Sequence, residues 1–92
     1  MIKLTLYSRA DCELCREMEL LVEQEMARFE AQLETVDIDG NPELKQRFDV
    51  EVPVLFVNGR KAFKYRCTPR ELRKRLSREV GRRWLFGKAP TA

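Results

Sequence analysis

The sequence predicts an α/β domain in which a mixed sheet carries helices on both faces. Three observations predict it. Apolar or alternating runs take turns with segments of helical period, in the order strand, helix, strand, helix, strand, strand, helix. The first strand–helix–strand unit requires a right-handed parallel crossover. The last two strands are joined by Asn58-Gly59 alone, a two-residue turn signal, and therefore run antiparallel. A chain of 92 residues supports one modest core. We place the domain over residues 1–80 and a tail, partly packed on it, over residues 81–92.

Ile2 to Tyr7 alternates and reads as the first strand. Ser8-Arg9-Ala10-Asp11 is a loop. From Cys12 the period changes: Leu14, Met18, Leu21, Val22, Met26 and Phe29 follow one helical face. Glu17, Glu19, Glu23, Glu25 and Glu30 supply the wet face. Asp11 or Cys12 starts this helix, which puts both Cys12 and Cys15 in its first turn. Leu33 to Ile38 is the second strand. Asn41 suits an N-cap and Pro42 the first helical position, so Pro42 to Phe48 forms a short helix. Val52 to Val57 is almost unbroken in its apolarity and fits a strand buried on both faces. Arg60 to Arg66 interleaves charge with Ala62, Phe63 and Tyr65, as an edge strand does. Thr68-Pro69-Arg70-Glu71 is a capping box with proline inside the helix start. Leu72, Leu76 and Val80 mark the buried stripe of the last helix, which ends between Gly81 and Arg83. Trp84, Leu85 and Phe86 are expected to pack the tail on the domain, and residues 87–92 to fray.

Charged residues make up 36% of the chain and apolar ones 43%, a balance suited to a globular domain in water. No stretch has the apolar length of a membrane span. Met1-Ile2-Lys3-Leu4 lacks the pattern of a secretory signal, and the expected address is the cytoplasm. Charge is split unevenly. Residues 1–50 hold six Lys/Arg against twelve Asp/Glu, whereas residues 51–92 hold twelve against three. The basic half is expected to be mainly a solvated face of the last helix. It also supports a rival function, a non-catalytic binding module that grips an acidic partner. No recognition motif or interleaved aromatic series points to nucleic acid, and the chain is expected to act as a monomer away from membranes.

The three cysteines are too few for a disulfide scaffold. Cys12-Glu13-Leu14-Cys15 follows a strand and opens a helix, where unpaired N–H groups and the helix dipole favour a thiolate at Cys12. The thiolate is the nucleophile, and Cys15, one turn on, can attack a mixed disulfide formed on Cys12. Cys67 is expected to pack as a small apolar side chain. Three cysteines without a histidine make a poor set for structural zinc, and no metal site is expected.

Tyr7-Ser8-Arg9-Ala10-Asp11-Cys12-Glu13-Leu14-Cys15, then Val52-Pro53, then Asn58-Gly59, resemble a glutaredoxin-like protein of the thioredoxin superfamily, in its small bacterial glutaredoxin-like group. The resemblance spans roughly residues 1–80. It implies the thioredoxin-like fold, with strand order 2-1-3-4 and the third strand antiparallel to the first. It implies thiol–disulfide oxidoreductase activity, with Cys12 as nucleophile and Cys15 as resolving thiol. It also implies a cis bond before Pro53, a backbone site for substrate at Val52, and a basic residue, Arg9, placed to hold an anionic substrate or a glutathione carboxylate. Thr68, at the start of the last helix, could accept a carboxylate. Substrates are then disulfide-bearing proteins or small thiols. No cofactor is bound, and either glutathione or a thioredoxin-type reductase restores the dithiol. The sequence departs from that family in two places. Glu13-Leu14 replaces the usual Pro-Tyr, and Phe63-Lys64-Tyr65-Arg66-Cys67 replaces a Gly-Gly pair. Asp11 and Glu13 oppose the helix dipole, so a reductant-like potential is expected, near the thioredoxin value of about −270 mV.

Overall fold

The computed structural model describes the backbone of residues 1–85 and the side chains of residues 1–81. Along them run β1 (Ile2–Ser8), α1 (Glu13–Met26), β2 (Ala31–Asp37), α2 (Pro42–Phe48), β3 (Val54–Val57), β4 (Arg60–Lys64) and α3 (Pro69–Leu85). A 3₁₀ turn, Ile38–Gly40, joins β2 to α2. Among the described residues the four strands form one sheet in the order β2-β1-β3-β4. β1 is parallel to β2 and antiparallel to β3, and β4 returns antiparallel to β3. This is the thioredoxin-like fold expected from the sequence.

The period of two explains why β1 and β3 occupy the centre. Ile2, Leu4 and Leu6 face α1 and α3, where they join Met18, Val22, Leu55, Val57, Leu72 and Leu76 in the larger core. Tyr7 faces the other way, toward α2, in a smaller core with Ile38, Phe48, Val54 and Phe56. Its ring stacks on Phe48 at 4.7 Å and meets Phe56 edge-on at 5.4 Å. In β3 the same alternation sends Leu55 and Val57 to one core and Val54 and Phe56 to the other.

The turn and cap chemistry forms as the residues dictate. Asn58 and Gly59 both have positive φ, 50° and 81°. Asn41 Oδ1 accepts from the N–H groups of Glu43 and Leu44. Thr68 Oγ1 accepts from the Glu71 N–H, and Glu71 accepts in return from the Thr68 N–H. β4 carries one extra residue, Ala62, where the register with β3 slips between Leu55 and Phe56.

Several segments differ from expectation: α1 stops at Met26, short of Phe29, β3 begins at Val54 rather than Val52, and β4 ends at Lys64 rather than Arg66. β2 starts at Ala31 and ends at Asp37, because Ile38 turns into the 3₁₀ segment and drives its side chain under Phe48. Val80 is exposed, and Glu79 is buried in its place on the inner stripe of α3. There it accepts from Asn58 Nδ2 at 2.8 Å and from Arg75 Nη1 at 2.6 Å, the latter offsetting its charge. Glu25 is likewise buried rather than wet, held by both Nε and Nη2 of Arg73 across the α1–α3 contact. Finally, α3 passes through Gly81 and runs to Leu85. The packing expected of Trp84, Leu85 and Phe86, and the fraying expected beyond them, lie outside the described residues.

Gly81 lies inside a helix, and a Cβ built on it meets nothing within 4 Å. Gly81→Ala is therefore expected to stabilise the domain by about 0.5–1 kcal/mol, read as a higher midpoint in urea unfolding. The carboxyls of Glu25, Asp49 and Glu51 are held below their ordinary values, chiefly by hydrogen bonds from Arg73, Arg9 and Lys61 respectively. Stability from such groups is complete above the unfolded carboxylate value of about 4 and is lost as pH falls through the lower folded value. Urea midpoints measured downward from neutrality should thus fall below about pH 4, and Glu25→Gln should flatten that fall.

Candidate active site

The site assembles where β1 ends and β3 begins. Val54 pairs with Tyr7, so Val52 and Pro53 lie alongside the chain leaving β1 toward Cys12. The Val52–Pro53 peptide bond is cis. Pro53 is buried and Val52 half-buried. β4 ends beside the same point, since Lys64 also pairs with Val54, and the segment Tyr65–Thr68 therefore arrives at this pole of the sheet.

Cys12 is the N-cap of α1, with extended backbone. Its Sγ accepts from the Cys15 N–H at 3.1 Å, and its carbonyl accepts from the Arg16 N–H at 3.2 Å. The sulfur thus occupies the position that a serine or aspartate oxygen usually fills at a helix start. A negative charge there meets an N–H donor and the positive end of the helix dipole. Cys12 and Cys15 are joined in a disulfide, their Cα atoms 5.1 Å apart. They differ in access: Cys15 is 3% exposed, whereas Cys12 reaches the surface. Asp11 and Glu13 flank Cys12 as exposed carboxylates.

A groove of about 230 Å³ borders the disulfide on the β2 side, lined by Ser8, Arg9, Arg16, Glu19 and Asp37 as well as both cysteines. Arg9 does not present a free guanidinium to it. Nε is paired with Asp39, Nη2 with the Asp49 carboxylate and Nη1 with the Asp49 carbonyl. Arg9 therefore fastens the loop after β1 to α2. The cation left open in the groove is Arg16, which is exposed and makes no ion pair among the described residues. Sequence reasoning passed over it, although a basic residue directly after Cys15 was a visible signal.

On the opposite side of α1, Leu14, between the two cysteines, shares a shallow groove with Tyr65, Arg66 and Cys67. Tyr65 has φ 68° and ties two loops together. Its N–H donates to the Pro53 carbonyl at 2.9 Å and its hydroxyl to the Val50 carbonyl at 3.1 Å. Nothing in the sequence marked Tyr65 for this work. Cys67 packs against the larger core, where burial first and Glu71 second push its thiol up to about 11. Thr68 gives both its hydroxyl and its N–H to the helix cap, so the structure assigns it to α3 before any ligand. Among the described residues no group of three or more His, Cys, Asp or Glu is placed to hold a metal ion, and no helix is long and apolar enough to cross a membrane.

Comparison with family models matches residues 3–77 to the Glutaredoxin-like domain (DUF836). The chain belongs to this glutaredoxin-like family. Solved structures agree. The X-ray structure of target protein XcR50 from X. campestris is 32% identical, with a TM-score of 0.71, over 82% of this chain and 96% of that one. Protein Ne2328 from Nitrosomonas europaea is 30% identical, with a TM-score of 0.67, over 77% and 86% of the two chains. Thioredoxin 1 from Thermosipho africanus shares the fold at 17% identity and a TM-score of 0.64, over 86% and 94%. The search of curated proteins finds no match. Fold, family and the Cys12–Cys15 pair are together compatible with a redox role.

Access and thiol chemistry fix an order of reactivity. After reduction, iodoacetamide near neutral pH should modify Cys12 first, with Cys15 slowed by burial. Cys67, with roughly one part in ten thousand as thiolate at about pH 7, should react last. Peptide mapping after timed quenching reads the order directly, and Cys67 reacting ahead of Cys12 would contradict it.

Proposed function

We propose that this glutaredoxin-like protein is a thiol–disulfide oxidoreductase. One observation carries the reading: the partly accessible member of the sulfur pair caps a helix, and its partner is buried one turn behind it. In the reduced protein the Cys12 thiolate attacks one sulfur of a substrate disulfide. That S–S bond breaks, and the departing sulfur leaves as a thiolate that takes a proton from water. Cys15, deprotonated, then attacks Cys12 Sγ. The Cys12–Cys15 bond forms, the mixed disulfide breaks, and the second substrate thiol leaves. Two electrons pass from protein to substrate, and the oxidised product is the disulfide form described above.

Geometry supports roles for the neighbours. Val52 lies just outside the β3 ladder, and in this reading its backbone pairs with an extended stretch of substrate across Cys12. Arg16, rather than the paired Arg9, is the side chain open to an anionic group of the substrate in the groove. The disulfide-bearing substrate is a protein or a small thiol compound. A dithiol of this kind needs a reductant, glutathione or a flavin-linked reductase, and a cytoplasmic setting would keep it reduced.

Trapping tests the assignment. Cys15→Ser should accumulate a covalent adduct with a disulfide substrate through Cys12, released by dithiothreitol, whereas Cys12→Ser should accumulate none. Equal trapping by both variants would remove the roles given to the two sulfurs, and turnover of a disulfide by Cys12→Ser would remove the reaction itself.

A further inference from the structure

The basic residues of α3 divide into two sets. Arg73 and Arg75 face the domain and are consumed by the buried carboxylates Glu25 and Glu79. Arg70, Lys74 and Arg78 are exposed and make no ion pair among the described residues. Their spacing of four places them in one row on the helix face opposite Leu72 and Leu76. At 1.5 Å per residue the row is about 12 Å long, the reach of roughly four residues of extended chain. It begins near the disulfide, because Arg70 follows within three residues of Cys67, which lines one groove with Leu14 of the Cys12–Cys15 turn. The outer face of α1 is mainly acidic, with Glu13, Glu17 and Glu23 exposed and Arg16 the one exposed cation among them. The chain thus presents a cationic row on α3 and a mainly acidic surface on α1, broken by Arg16 beside the disulfide.

We propose that Arg70, Lys74 and Arg78 form a docking row for an acidic segment of the protein whose disulfide is reduced at Cys12. The inference rests on the oxidoreductase reading and adds a substrate class to it. A partner with its scissile disulfide over Cys12 lays the acidic segment along α3, and repulsion from α1 disfavours the reversed orientation. The described outer face of α3 exposes no aromatic ring on which a base could stack, which favours a peptide over a nucleic acid.

The test compares two synthetic disulfide peptides, identical except that four residues flanking the bridge are Asp/Glu in one and Ser/Gly in the other. Dithiothreitol recycles the protein. At low salt the acidic peptide should be reduced with a kcat/KM higher by roughly tenfold, the scale of a few exposed charge pairs. Raised salt should erase the advantage. The triple variant Arg70→Glu, Lys74→Glu, Arg78→Glu should reverse it without slowing the neutral peptide. The triple Gln variant, gentler on folding, should abolish it. Equal rates for both peptides, or an advantage that survives both triple variants, overturn the proposal.

Fluorescence anisotropy with a cysteine-free acidic peptide separates the two readings. If neither disulfide is reduced, the oxidoreductase reading fails, and the row stands or falls as an acidic-peptide site on whether the triple variants lose this binding. A single-stranded oligonucleotide of equal charge that binds more tightly than the acidic peptide overturns the assignment in favour of nucleic acid.

Discussion

Pairing of β1 with β3 is the constraint on which the site depends. β1 buries Ile2, Leu4 and Leu6 on one face and half-buries Tyr7 on the other, and β3 alternates between the same two cores, so a slip of one residue would exchange core positions for their opposites. Leu4↔Val57 and Leu6↔Leu55 hold one face, while Tyr7↔Val54 holds the other. That register leaves no freedom in where β1 ends or β3 begins. Cys12, five residues beyond Tyr7, and Pro53, one residue before Val54, come to the same end of the sheet because the register of the leucines, valines and aromatics further along the strands sets it.

Upon that frame the helix terminus divides the chemistry between two sulfurs. Cys12 stands outside the first turn and accepts the Cys15 N–H. Cys15 is within the turn and sealed by the domain. One backbone feature thus provides a more approachable sulfur and a protected one. The surrounding ion pairs serve position rather than chemistry. Arg9, bound to Asp39 and Asp49, anchors the connection from β1, and Tyr65 does the same for the loop that carries Pro53. Cys67, despite its closeness, remains a protonated, packed thiol.

Most of this architecture was legible because it is local. The strand alternation, the capping box at Thr68, the Asn41-Pro42 helix start and the Asn58-Gly59 turn each need only a few neighbouring residues to act. Cys12 and Cys15 were legible for the same reason. What escaped depends on contacts distant in sequence. Glu25 looks like one more solvated glutamate until Arg73, 48 residues later, crosses it. Glu79 and Val80 both satisfy a helical stripe, and Glu79 takes the inner place, where it accepts from the distant Asn58 amide and from Arg75. Arg9 was read as a ligand for an incoming anion because nothing in its own loop shows that Asp39 and Asp49 reach it first.

The extra residue in β4 has a wider consequence. Ala62 interrupts the regular spacing of outward backbone groups on that margin of the sheet, in a strand that also bears Arg60, Lys61 and Lys64. A neighbouring chain cannot zip along such a margin, so the sheet is blocked from growing sideways there. The bulge and the like charges therefore oppose edge-to-edge pairing of two copies along β4.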